Sequence, residues 1–187
     1  MVGEKRTFDV DARALRAIAH PLRMRMLGIL RTEGPATATS LAARVGESSG
    51  TTSWHLRQLA EHGFIEEDSE RGNRRDRWWR AVHDFTRVRS EEFLDDPENA
   101  GALSTLLFEA AGIYYRNATN FVAQIQSWGK EWVEAADISD FQLSLTPSEL
   151  AELHQKLHEV VRRYDREPQP GDEAVTVQLQ LFPRGHL

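Results

Sequence analysis

The run Ser48-Ser49-Gly50-Thr51-Thr52-Ser53-Trp54-His55-Leu56-Arg57 sets short hydroxyl side chains and a bare glycine directly before a tryptophan, a histidine and a guanidinium. Hydroxyl residues favour caps and turns over helix interiors. Here they lead into Leu56, Leu59 and the apolar pair Phe64-Ile65, so they open a helix. On a wheel of about 100° per residue, Thr52, Leu56, Leu59 and Gly63 share an inner face, while Gly50, Ser53, Trp54, Arg57 and Glu61 point away. An outer face with small residues at its start suits close approach to a polyanion. Hydroxyls reach phosphates or base edges, the free N–H groups of the first turn favour a phosphate, and the glycine admits the backbone. Ser48 also suits a plain helix cap. Trp54 can lie against thymine methyls or sugars, or pack in an interface between copies. His55, at the flank of the inner face, either donates to a phosphate or is a half-buried, hydrogen-bonded histidine.

A second cluster follows. Arg71, Arg74, Arg75 and Arg77 surround Gly72-Asn73, a turn signal between Phe64–Asp68 and the alternating Arg77-Trp78-Trp79-Arg80-Ala81-Val82. The pattern predicts a hairpin with a basic tip. Solvation alone explains many such runs, but this one follows the hydroxyl-led helix at the distance of a DNA-binding wing. One of Trp78 and Trp79 should face inward and the other stay partly exposed.

Elements that position these groups are legible upstream. Residues 11–19 predict a short helix, and Pro21 is placed to open another over 21–32. Glu33-Gly34-Pro35 stops that helix. A third spans 37–45 with Leu41, Ala42 and Val45 inward, and Gly46 ends it. Two short helices on so tight a link match a helix-turn-helix. Downstream, Leu103, Leu106, Leu107, Ile113, Phe121, Ile125, Trp128 and Trp132 recur at helical spacing. They predict one long amphipathic helix, or two with a bend near Gly112 or Gly129. Residues 137–145 read as a linker. Thr146-Pro147-Ser148-Glu149 opens a last helix with a capping box. Val175-Thr176-Val177-Gln178-Leu179-Gln180-Leu181 alternates and predicts a strand with Val175, Val177, Leu179 and Leu181 inward.

The net charge of −6 conceals a division: residues 1–90 hold 16 Lys/Arg against 12 Asp/Glu, and residues 91–187 hold 7 against 17. A basic first half is compatible with a polyanionic partner, and an acidic second half is not. With no cysteine in the chain, disulfides and thiolate metal sites are excluded. No apolar run reaches the roughly 20 residues that cross a bilayer. The segment MVGEKRTFDVDAR lacks a signal core, which predicts a cytoplasmic protein with no membrane partner. His154 and His158, four apart, have a spacing that can chelate a metal, but they border the Leu150/Leu153/Leu157 stripe and read as surface histidines. No nucleophile elbow, Walker loop or dinucleotide fingerprint is present, so no enzyme and no cofactor is expected.

Together IAHPLRMRMLGIL, SLAARVG, Ser53-x-His55-Leu56-x-x-Leu59, HGFI and the basic hairpin resemble the winged helix-turn-helix domain of ArsR-type bacterial transcriptional regulators, over about residues 12–85. The resemblance implies a mainly α fold: a winged helix-turn-helix domain over 1–90 with a two-stranded β-wing, then a helical dimerisation and effector region over 91–187 ending in a short strand. It also implies a homodimeric repressor that holds double-stranded DNA, a partly palindromic operator, through Ser48, Ser49, Thr51, Ser53, Trp54, His55 and Arg57, with Arg71, Arg74, Arg75 and Arg77 on the flanks. The cysteine ligands of metal-sensing members are missing from ATATSLAARVG, and no Asp-x-His pair with a distant His and Glu replaces them, so no metal is expected. Phe108, Tyr114, Tyr115, Phe121, Trp128 and Trp132 can line a small-molecule effector pocket, or pack a core or dimer interface. The competing reading is a protein-interaction module whose acidic helical half docks a protein partner.

Overall fold

The computed structural model describes residues 6–71 and 77–185. Contacts divide these at Tyr115/Arg116 into two compact units.

In the first unit each helix begins where a side chain can satisfy a free N–H. Asp11 Oδ1 accepts from the Ala14 amide at 2.8 Å and starts α1 (Ala12–Ile18). His20 Nδ1 accepts from the Leu22 amide at 3.2 Å, and Pro21 at the first position has no N–H to satisfy, which starts α2 (Pro21–Thr32). β1 (Thr7–Asp9) precedes them and β2 (Ala36–Thr37) follows. Thr37 and Ser40 form a reciprocal capping box for α3 (Ala38–Val45). Gly46 closes that helix at φ 77°, a left-handed conformation that only glycine adopts without cost. Two residues later Ser48 opens α4 (Ser49–Glu61).

β3 (Ile65–Glu67) and β4 (Trp78–Ala81) pair antiparallel, with Ile65 opposite Ala81 and Glu67 opposite Trp79. β2 adds a third strand on the far side of β4, which the sequence did not signal. β5 (Phe85–Arg87) pairs in parallel with β1. Trp79 is buried and Trp78 half-buried, the expected alternation. Leu15, Met26, Leu41, Leu56, Leu59, Phe64 and Ile65 fill the core, and Phe93, Leu103 and Leu106 extend it. Together these elements are a winged helix-turn-helix with a small antiparallel sheet as its wing. The turn at Gly72-Asn73, with Arg74 and Arg75, lies outside the described residues.

α5 (Pro97–Gln124) leads into a short 3-10 turn and then α6 (Lys130–Ala135), so the predicted long helix breaks before Gly129. Thr146 and Glu149 form the expected capping box of α7 (Pro147–Arg162). Among the described residues from Arg116 onward none is fully buried. The expected strand over 175–181 does not form: no neighbouring segment supplies a ladder. Val175 and Val177 are exposed, and only Leu179 and Leu181 pack, lining a cleft of ≈ 420 Å³ with Pro147, Leu150, Ala151, His154 and His158 of α7. The rings of His154 and His158 meet edge to face at 4.5 Å, and no group of three metal-ligating side chains gathers among the described residues.

Candidate nucleic-acid interface

Two contacts hold the entry to α4. Ser48 Oγ accepts from the Thr51 amide at 3.0 Å, and Thr52 Oγ1 donates to the Ser48 carbonyl at 3.0 Å. Ser48 is therefore the cap, although its Oγ stays exposed and lies 2.8 Å from Thr51 Oγ1. Thr52 is fully buried beneath it and fixes the first turn to the core. From α2, Arg25 reaches the last carbonyls of α3, those of Arg44 at 2.8 Å and Val45 at 3.2 Å. The link between the two helices is thus pinned from behind, and the outer face of α4 is presented on a rigid base.

That face carries Ser49, Gly50, Thr51, Trp54 and Arg57 exposed, with Ser53 half-buried. Trp54 is 50% exposed, a large apolar surface on an otherwise polar face. Arg57 is held loosely, its Nε donating to the Ser53 carbonyl at 3.3 Å. A Cβ built on Gly50 would meet only Ser48 Oγ, at 3.8 Å, so nothing within the chain demands glycine there.

His55 departs from this group. It is 6% exposed, its ring lies 4.5 Å from that of His20, and Trp54 packs on it edge to face at 4.7 Å. The phosphate-donor reading of His55 is therefore corrected: α4 turns this side chain inward against the start of α2. Its Nδ1 is buried and has no hydrogen-bond partner among the described residues. Burial, then the neighbouring His20 and Arg23, hold its pKa below the ordinary value of 6.5, against a weak opposing pull from Glu47. His20 is lowered by burial and Arg23, opposed by its backbone contact and Glu109. Because both rings are lowered in the fold, the unfolded chain takes up protons first, so stability present above pH 6.5 is lost as the pH falls through that value. Carboxylates do not titrate until lower pH. We expect the thermal midpoint to drop between pH 7.5 and 5.5, and His55→Gln to flatten that drop. A midpoint independent of pH over this range would place the pair in solvent.

At the base of the wing the arginines are not free cations. Arg71 Nε lies 3.5 Å from Asp68 and Arg77 Nε 3.3 Å from Glu67, while Arg80 joins Glu66 at 2.9 Å across the strands. Sequence reading counted these charges without their acidic partners, because cross-strand pairing depends on register.

The six aromatics proposed for an effector pocket are divided between the two units. Phe108, Tyr114 and Tyr115 belong to the first unit, and Phe121, Trp128 and Trp132 to the second. None of them lines either described cleft, and Phe108 and Tyr115 are strongly exposed.

Residues 18–68 match a family model described as a helix-turn-helix domain. No curated protein matches the chain. Among solved structures, a possible transcriptional regulator for arsenical resistance is 30% identical, over 52% of this chain and 82% of that one, with a TM-score of 0.33. A transcriptional regulator of Thermotoga maritima is 14% identical over 80% of this chain and 84% of that one, with a TM-score of 0.33. ZitR of Lactococcus lactis, in apo form, is 12% identical over 79% and 84%, with a TM-score of 0.35.

Proposed function

We propose, from the premise that residues 18–68 are a helix-turn-helix domain, that this chain is a transcriptional repressor of the ArsR type. It binds a partly palindromic DNA operator as a homodimer in the cytoplasm. The observation that carries this reading is the outer face of α4: exposed hydroxyls, an exposed tryptophan and a loosely held arginine on a helix whose inner face is locked into the core. Ser49, Thr51, Ser53, Trp54 and Arg57 read the major groove. Arg71, Arg74, Arg75 and Arg77 take flanking phosphates.

Support for the homodimer comes from α5. Leu107, Phe108, Tyr115 and Val122 are each more than half exposed and fall within about a 100° arc of one helix. Exposed apolar side chains in such a row mark an association surface. The helical half beyond Arg116, with no fully buried residue among those described, also fits a region completed by a second copy.

A gel shift at physiological salt with the DNA upstream of its own gene is the direct test. Selective retention is expected, and binding no tighter than to random duplex would favour the protein-interaction module. Gly50→Ala sharpens the test. Alanine has the better helix propensity by about 0.5–1 kcal/mol, and the site is open, so the fold should be as stable or slightly more so. The added methyl stands where a duplex backbone would approach, so operator affinity should fall. Equal affinity for both proteins would remove the first turn of α4 from the interface.

A further inference from the structure

On the first unit, α1, α2 and the C-terminal half of α4 enclose an open, polar cleft of ≈ 260 Å³ lined by Arg13, Arg16, Ala17, Arg23, Gln58 and His62. The α4 positions that line it lie beyond Arg57, toward the end of the helix opposite the hydroxyl-rich turn. Three guanidiniums so close together are mutually repulsive unless something neutralises them. Arg16 has local partners, Asn99 Oδ1 at 2.5 Å and Glu98 at 3.6 Å. Among the described residues Arg13 and Arg23 make no ion pair and no side-chain hydrogen bond. Arg23 Nε is buried without a partner. Gln58 Nε2 donates to Glu61 at 3.1 Å. Burying a cationic donor without an acceptor is costly, and a bound oxyanion removes the cost by accepting from the guanidinium fork.

We propose that this cleft is a binding site for a small oxyanion, a phosphate- or carboxylate-bearing metabolite no larger than a few heavy-atom groups. Arg13 and Arg23 clamp it and His62 stands at its margin. The volume is below that of a pocket for a drug-sized ligand, about 300–1,000 Å³, which sets the size class. Gln58 belongs to α4 and His62 caps its C-terminal end, so the occupant touches the rear of the helix whose outer face is the candidate reading surface. The site stands on its own geometry and does not depend on the DNA reading.

Inorganic phosphate, pyrophosphate and citrate are titrated into the full chain, without DNA, against chloride at matched ionic strength, with the thermal midpoint and calorimetric heat as readouts. At least one of the three should raise the midpoint saturably. Arg13→Gln, an exposed position that leaves the core untouched, should weaken that anion about tenfold or more, the loss expected for one charge-assisted contact. Arg23→Gln should do the same, while Arg163→Gln in the other unit should not. A non-specific duplex added as a competitor tests the other source of phosphate: if it displaces the small anion one for one, the cleft is a backbone-phosphate contact and the metabolite assignment is overturned. It is equally overturned if no anion outperforms chloride, or if Arg13→Gln and the parent protein respond alike.

Discussion

Phe64→Ala should cost about 3–5 kcal/mol of folding stability, the range for truncating a fully buried phenylalanine. Phe64 is 0% exposed, and its ring meets Phe8 edge to face at 4.8 Å. Its backbone is engaged on both sides: the amide donates to the Leu59 carbonyl at 3.0 Å, and the carbonyl accepts from Val82 at 3.1 Å. The residue thus joins the end of α4 to the start of the wing. With typical domain stabilities of about 5–15 kcal/mol, the variant should lose a large share of its folded population on warming. Urea unfolding reads the effect as a midpoint lowered by on the order of 1–3 M at unchanged slope. Phe64→Leu, which keeps most of the volume, should lose about 1.5 kcal/mol or less. A Phe64→Ala midpoint within experimental scatter of the parent would mean that Phe64 is not the joint between α4 and the wing.

If the proposed homodimer makes about six phosphate contacts, its operator affinity should fall by on the order of a thousandfold between 50 and 200 mM salt, as counterion release dictates. Individual cations should then separate by environment. Arg57 has no acidic partner among the described residues, so Arg57→Ala should either lower the salt slope by about 1 or relax sequence preference, depending on whether it meets a phosphate or a base edge. Arg77 shares its charge with Glu67 at 3.3 Å. Glu67→Gln should therefore tighten binding by releasing Arg77 and removing a carboxylate from beside the duplex. If Glu67→Gln weakens binding, that carboxylate positions the wing and does not compete with DNA. An affinity independent of salt would sink the phosphate contacts altogether.

Much of the local structure was decided within single turns, and so could be read from residue order. Caps at Asp11, Thr146 and Ser48, Pro21 at a helix start and Gly46 at a helix end involve partners two to four residues apart. The inner stripe Thr52, Leu56 and Leu59 follows from helical period alone, and the wing hairpin from two alternating runs around a turn. Period and spacing carry no information about which distant segment lies opposite. Tertiary structure alone decided that β2 joins the wing sheet, that β1 pairs with β5 in parallel, and that residues 175–181 find no ladder despite their alternation. It alone turned His55 inward onto His20, partnered Arg71 and Arg77 with acids, and gathered Arg13, Arg16 and Arg23 from two helices around one cleft. Backbone propensity acts over a single turn. The environment of a charge is set by whatever folding brings within a few ångströms, and no single segment specifies that.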